Sequence, residues 1–205
     1  RETERALKGS GIAVPRLDDY AWRLWDYWER HLDPDLFIDR SLKGKVRNKV
    51  VVITGGSSGI GLSTAQRVAE AGATTIIVAR GEEELFKARD EMKKAGGKVF
   101  AYTADLADMA DCDRLVKTVL DEHGHVDVLI NNAGRSIRRS VKFSFDRFHD
   151  FERTMQLNYF GALRLIMGFL PKMSERHRGH IINISSIGVL TNAPRAYAVR
   201  VLTAL

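Results

Sequence analysis

The sequence of 205 residues holds one cysteine, Cys112, so no disulfide can form within the chain and stability must come from a packed core. Leu115, Val116 and Val119 share a helical face with Cys112, which places the thiol in that core and fits a reducing compartment. No cluster of metal ligands is visible. His123 and His125 lie in a charged stretch and His177 and His180 in a basic turn, and both pairs are expected to be solvated loop residues. No apolar run reaches the roughly 20 residues of a membrane span. The longest, around Tyr159–Leu170, is interrupted by Arg164. No secretory leader is read at the start, and Arg1 in place of Met marks a fragment or a processed chain. The expected location is cytoplasmic, with peripheral membrane contact as the variant. The net charge of +6 raises nucleic acid as a partner, yet acidic and basic residues are interspersed with no long basic tract or nucleic-acid motif, so none is expected.

What is present is concentrated in Val50-Val51-Val52-Ile53-Thr54-Gly55-Gly56-Ser57-Ser58-Gly59-Ile60-Gly61. Four consecutive β-branched residues suit a strand covered on both faces, and the glycines after it let the backbone reverse tightly and approach a ligand. The helix that follows, carrying Ala65, Val68 and Ala69, opens with free N–H groups and a partial positive charge, a setting that stabilises a pyrophosphate. Further strand-like runs at Thr75–Ala79, Val99–Thr103, Val126–Asn131 and His180–Ser185 alternate with helix-length segments rich in Ala, Leu, Glu and Lys. This alternation predicts an α/β fold: a doubly wound parallel β-sheet with right-handed crossovers and helices on both faces. Thr54, Arg80, Asp105, Asn132 and Ser185 or Ser186 fall at or just after strand ends, where ligands of such sheets bind.

Gly55, Gly59 and Gly61 read T-G-x-x-x-G-x-G rather than G-x-G-x-x-G. The run closely resembles the coenzyme loop of the short-chain dehydrogenase/reductase family, and further matches follow in order. Ala104-Asp105-Leu106 comes after the third strand and Asn131-Asn132-Ala133-Gly134 after the fourth; Asn158 stands in Leu157-Asn158-Tyr159, and Ile182-Asn183-Ile184-Ser185-Ser186 ends the series. The resemblance covers Lys49 to Ser186 and implies a Rossmann-like fold. It also implies coenzyme contacts at Thr54, Gly55, Ser57, Ser58, Gly59, Ile60 and Gly61, at Asp105 and Leu106 on the adenine side, and at Asn132, Ala133 and Gly134. Asn158 and Ser186 match the family's catalytic Asn and Ser; Asn158 would position a proton-relay water, or else bind the backbone of a neighbouring strand.

Arg80 bears on the choice of coenzyme. It stands nineteen residues after Gly61, where an acid would accept from a ribose 2′-hydroxyl and an arginine accommodates a 2′-phosphate. A guanidinium there reverses the charge and offers forked donors, so NADP(H) is expected over NAD(H). The alternative is a solvated Arg80, with Glu82 or Glu83 reaching the ribose.

The last thirty residues depart from the family. Its members use a Tyr with a Lys four residues on; a phenol of reference pKa about 10 needs a nearby cation to act near neutral pH. Tyr197 follows Ser186 by eleven residues and is taken as catalytic, but Val201 replaces the Lys, no lysine follows Lys172, and Arg200 supplies the nearest charge. The strand Ile181–Ile184 would be an uncovered edge. Either residues are absent between Arg195 and Ala196 and beyond, which is the expectation, or the protein is naturally short.

Residues 1–48 form an N-terminal helical extension, and residues 49–205 the coenzyme-binding domain, incomplete at its C-terminus. Asp18-Asp19 could cap a helix through Tyr20, Trp22, Leu24, Trp25 and Trp28 to His31, stopped by Asp33-Pro34, and it carries all three tryptophans. Its apolar face would pack on the body, a second domain or a partner, or lie at a membrane or lipid-like substrate. With Asn131–Ser140, this arrangement resembles bacterial reductases of long-chain fatty acyl-CoA and fatty aldehydes. The implied partner is a small-molecule acyl or aldehyde substrate. Arg135, Arg138 and Arg139 would meet coenzyme A phosphates or remain solvated. A homo-oligomer through the helices flanking the fourth and fifth strands, including Phe160–Leu170, is expected. Two other functions stay open: a dehydrogenase for another alcohol or ketone (steroid, sugar or 3-oxoacyl thioester), and a non-catalytic NADP-binding sensor or scaffold.

Overall fold

The computed structural model describes residues 2–12, 15–31, 39–137, 143 and 145–186. The chain divides into two compact units, Arg1–Gly44 and Lys45–Leu205. Of the residues singled out by sequence, Asp33, Pro34, Arg138, Arg139, Ser140, Tyr197, Arg200 and Val201 lie outside the described ones.

The first unit contains α1 (Glu2–Ala6) and α2 (Leu17–His31), and α3 (Leu42–Val46) begins at its end. Helix α2 starts at Leu17, so Asp18 and Asp19 are not its cap; they occupy its first turn, with Arg30 and His31 in the last, complementing the helix dipole. Pairs four residues apart brace it. Arg30 Nε donates to Asp26 Oδ1 at 2.9 Å, Trp25 Nε1 donates to Glu29 Oε1 at 2.6 Å, and the Tyr27 and His31 rings stack at 4.2 Å.

The second unit is a five-stranded parallel sheet: β1 (Val50–Thr54), β2 (Thr74–Ala79), β3 (Lys98–Thr103), β4 (Val128–Asn131) and β5 (His180–Asn183), in the order β3-β2-β1-β4-β5. The reversal of order on either side of β1 makes it doubly wound. Helices α4 (Gly59–Glu70), α5 (Glu82–Lys94), α6 (Met109–His123), α7 (Phe148–Met155) and α8 (Ala162–Glu175) connect the strands, with a π-helical segment, Gln156–Gly161, joining α7 to α8.

Every residue of β1 is buried, as a run without alternation requires. Val51 and Ile53 point to one face, with Val68 of α4 and Leu85 and Ala88 of α5. Val50 and Val52 point to the other, with Leu115 and Val116 of α6 and Leu165 and Phe169 of α8. Phe169 is fully buried, and its truncation to Ala would cost about 3–5 kcal/mol. Cys112 lies in this second layer, and burial pushes its thiol up to about 11, so it packs as a small hydrophobe.

Two expectations are corrected here. Strand β4 begins at Val128 rather than Val126; Asp127, just ahead of it, anchors the strand start, its carboxylate accepting from Val50 N at 2.9 Å and from Arg176 Nη1 at 3.0 Å. His123 is not a solvated loop residue. It closes α6, half-buried, with its Nε2 2.7 Å from the Tyr102 hydroxyl and its ring edge-on to Phe100.

Candidate active site

Strand β1 ends in Thr54, and this buried hydroxyl organises the crevice between β1 and β4. It accepts from the backbone N–H groups of Asn132 and Ala133, each at 2.9 Å, and donates to Ile130 O at 3.4 Å. One donor and two lone pairs are thereby all engaged, so Thr54 braces the site from below. The Asn132 amide reaches back across the gap to donate to Thr54 O at 3.0 Å and Gly55 O at 3.3 Å. The two segments singled out by sequence are thus stitched to each other.

Gly55 and Gly59 hold φ of +66° and +55°, in the region glycine occupies without strain. A Cβ on Gly61 would collide with the Gly55 carbonyl oxygen and the Asn132 amide, so the helix can start this close to the strand end only with glycine there. Ser58 is the N-cap of α4, yet no side chain caps the terminus. The first N–H groups of α4 are left for an anion, with the positive end of the helix dipole behind them. Ile60 turns its side chain to the outer face of α4, beside Ser63 and Thr64, and can serve this site through its backbone alone.

A cleft of about 250 Å³ opens above the strand ends. Gly55, Ser57, Arg80, Leu106, Ala133 and Gly134 line it, together with Val78, Ala79, Gly81, Ala104 and Leu157. Arg80 follows β2 and its Nη1 lies 3.9 Å from Asp105 Oδ2. The other Asp105 oxygen accepts from Ala107 N at 3.0 Å, while Asp105 N donates to Asp111 Oδ2 at 2.7 Å. That backbone bond, reinforced by Arg114, holds the Asp111 carboxyl below the usual carboxylate range. Asp105 is therefore fixed, whereas the exposed guanidinium facing it has room to meet a ligand phosphate.

Asn158 sits in the π-helical segment, which widens the helix at this point; such insertions concentrate at functional sites. Its Oδ1 accepts from Arg135 N at 2.8 Å and its Nδ2 donates to Arg135 O at 2.9 Å. The backbone it grips is the loop beyond β4 rather than a strand. At the end of the segment Gly161 lets the helix touch the Leu106 carbonyl, where a Cβ would overlap it. The segment is clamped to the loops after both β3 and β4. Ser186 lies three residues beyond β5, and Ser185 beside it is exposed.

Sequence reasoning missed Asn131. It is 7% exposed, its Nδ2 donates to Asn183 Oδ1 at 2.9 Å, and its own Oδ1 is buried without a partner. Its neighbour Asn132 drew attention as a coenzyme contact; an Asn at a strand end directly opposite another Asn becomes visible only once the register is known.

The described residues fit a dinucleotide: an uncapped helix start for the pyrophosphate, a glycine turn that admits it, a cleft of mixed polarity beside it and a guanidinium lining that cleft. A family model of the short chain dehydrogenases matches residues 49–198. The chain belongs to the short-chain dehydrogenase family. A fatty acyl-CoA reductase of Acinetobacter baylyi is 54% identical over 158 residues, covering 77% of this chain and 54% of that protein. A fatty acyl-CoA reductase of Mycobacterium tuberculosis is 42% identical over 170 residues, covering 82% of this chain and 58% of that protein. The chain thus spans little more than half the length of these relatives. Among solved structures, a metagenomic short-chain oxidoreductase in complex with NADP superposes with a TM-score of 0.72 at 30% identity, covering 77% of this chain and 71% of the other. In this short-chain dehydrogenase, the crevice at the switch in strand order, between β1 and β4, is where the fold places its ligand.

Proposed function

We propose that this short-chain dehydrogenase is an NADPH-dependent reductase that transfers hydride to the carbonyl of a long-chain fatty acyl-CoA or fatty aldehyde. The coenzyme half of this reading rests on Arg80, which overlooks the cleft from the end of β2 where an acid would favour a free ribose. The NADP complex of the metagenomic relative supports it, and the two fatty acyl-CoA reductases support the substrate class.

The N–H groups of Gly59, Ile60 and Gly61 would hold the pyrophosphate, with Gly55, Ser57 and Ser58 shaping the turn. Asp105 and Leu106 would face the adenine, Arg80 the 2′-phosphate, and Asn132, Ala133 and Gly134 would border the rest of the coenzyme. When bound, NADPH supplies the hydride. Ser186 would donate a hydrogen bond to the substrate carbonyl oxygen, and Tyr197 would hand that oxygen its proton. Asn158 would order a water on the proton path while keeping the loop beyond β4 in place. Arg135, Arg138 and Arg139 would pair with phosphates of coenzyme A.

The reading extends to a cytoplasmic homo-oligomer. Phe160, Met167 and Leu170 are exposed along one helical stretch and offer apolar surface for a second copy. Helix α2 would meet a second domain or a membrane surface. No helix among the described residues is long and apolar enough to cross a membrane.

The test is NADPH oxidation by the full-length protein with a long-chain aldehyde, its acyl-CoA and a steroid ketone as separate substrates. Turnover of the first two is expected. Turnover of the ketone alone moves the substrate class, and coenzyme binding without any turnover makes the protein a sensor. Changing Arg138 and Arg139 to Ala should weaken acyl-CoA binding and leave free aldehyde unaffected.

A further inference from the structure

The turn that follows β3 is pinned through Asp105. Its O accepts from Asp108 N at 2.9 Å and its Oδ1 from Ala107 N at 3.0 Å, so the aspartate closes the turn with backbone and side chain together. Its N–H donates to Asp111 Oδ2 at 2.7 Å. These bonds engage every polar atom of Asp105 except Oδ2, and that oxygen lies 3.9 Å from Nη1 of Arg80, which lines the cleft.

The bond to Asp111 is more than a by-product of α6. Asp108 is the N-cap of that helix and accepts from Ala110 N at 2.9 Å, and an acid anywhere in the first turn complements the dipole without reaching a loop. Asp111 reaches back six positions instead. Its other oxygen, Oδ1, is taken by Arg114, whose Nε donates to it at 2.8 Å. An exposed pair three residues apart on a helix is worth little by itself. Arg114 has a further partner: its Nη2 donates at 2.9 Å to the carbonyl of Thr103, the last residue of β3. The guanidinium thus ties α6 to the strand end, and the carboxylate it holds carries the loop between them. Leu106, next along that loop, is buried and lines the cleft, so a shift at Asp105 moves the cleft wall.

We propose that Asp111 and Arg114 are positioning residues for the adenosine half of the coenzyme: they fix the backbone of Asp105 so that Oδ2 is presented to the adenine 6-amino group, with Leu106 as the adjoining wall. Both act through Asp105 without touching the coenzyme. The inference rests on the reading above that places Asp105 and Leu106 at the adenine. An acceptor held ready needs no ordering when the ligand arrives, whereas one spread over several loop conformations loses affinity and selectivity.

The experiment compares wild type, Asp111→Ala, Asp111→Asn and Arg114→Met in the full-length protein. Each is titrated with NADPH and with deamino-NADPH, in which a carbonyl replaces the 6-amino donor, and amide hydrogen exchange is followed at Asp105 without coenzyme. Wild type should favour NADPH by about 10-fold, the scale of one hydrogen bond to a charged group. In Asp111→Ala the ratio should fall toward unity and exchange at Asp105 should speed up. Asp111→Asn keeps an acceptor for Asp105 N and should recover both, and Arg114→Met should lie between. A merely structural role lowers the two affinities together and leaves their ratio alone, so an unchanged ratio in Asp111→Ala overturns the proposal, as does unchanged exchange. If Asp111→Ala fails to fold, Arg114→Met, altered at an exposed side chain, decides by the same two readouts. A wild type that binds NADPH without preferring it to the deamino analogue also overturns the proposal. One that binds neither defeats the coenzyme reading itself, and exchange at Asp105 still decides whether Asp111 holds the loop.

Discussion

Arg80 and Asp105 face each other at the cleft, Nη1 to Oδ2 at 3.9 Å, the first exposed, the second tied down by Ala107 and Asp111. At that distance and exposure the ion pair is weak, so a 2′-phosphate can claim the guanidinium at little expense. Changing Arg80 to Ala should weaken NADPH binding by about 10- to 100-fold, as loss of charged hydrogen bonds implies, and leave NADH nearly unaffected. Fluorescence titration with both coenzymes checks this. Equal losses for the two would place the guanidinium outside the phosphate site.

Thr54 should tolerate serine and not valine. Valine matches its shape but offers no acceptor to Asn132 N and Ala133 N, both 2.9 Å from the hydroxyl. Two backbone donors left without partners predict destabilisation of at least about 2 kcal/mol for Thr54→Val. Thr54→Ser should stay near wild type. Urea denaturation of both variants decides it.

Gly61→Ala introduces a methyl where the Gly55 carbonyl and the Asn132 amide already stand. Forcing the helix start away should cost about 1–3 kcal/mol and abolish tight coenzyme binding. Gly124, whose added Cβ would meet nothing within 4 Å but whose φ is +76°, shows the cost of backbone strain without a clash. A Gly61→Ala protein that still binds NADPH tightly would show that the close approach is unnecessary.

Acid should loosen the Tyr102–His123 contact. Burial is the largest cause holding the His123 pKa below its ordinary 6.5, with Lys98 and His125 acting in the same direction and Glu122 opposing them. The unfolded chain therefore takes up a proton before the folded one does, and stability is lost as pH falls below about 6.5. Asp127, whose pKa is held low by Val50 N, Arg176 and His125 against its own burial, loses its contribution only below the ordinary carboxylate range. A His123→Gln variant should remove the upper of these two declines and keep the lower. Thermal melts from pH 8 to about pH 2 read both; an unaltered upper decline would assign it to another group.

The Asn158 side chain both accepts from and donates to the Arg135 backbone, so Asn158→Asp, which can only accept when ionised, should free Arg135 O. Turnover is expected to fall while NADPH affinity holds. An aspartate variant with wild-type turnover would confine Asn158 to the π-helical segment's local structure.

Much of this was legible in advance because its signals are local. Four β-branched residues followed by glycines declare a buried strand and a tight turn, and all five strands were found within two residues of their ends, since a parallel sheet covered on both faces demands continuous apolar runs. His123 was misread because only the fold brings Phe100 and Tyr102 of β3 against the end of α6. Helix α2 was expected to begin at its aspartates, but acids suit the first turn as well as the cap.

The residue pattern alone determined the doubly wound sheet, the glycine turn at Gly55–Gly61 and the arginine after β2, because periodicity, glycine freedom and charge are properties of short segments. The tertiary structure alone decided that Thr54 braces Asn132 and Ala133, that Asn158 grips Arg135, and that Asn131 lies opposite Asn183. Those partners are separated by 23 to 79 positions along the chain, and no local preference specifies which distant groups a buried donor will meet.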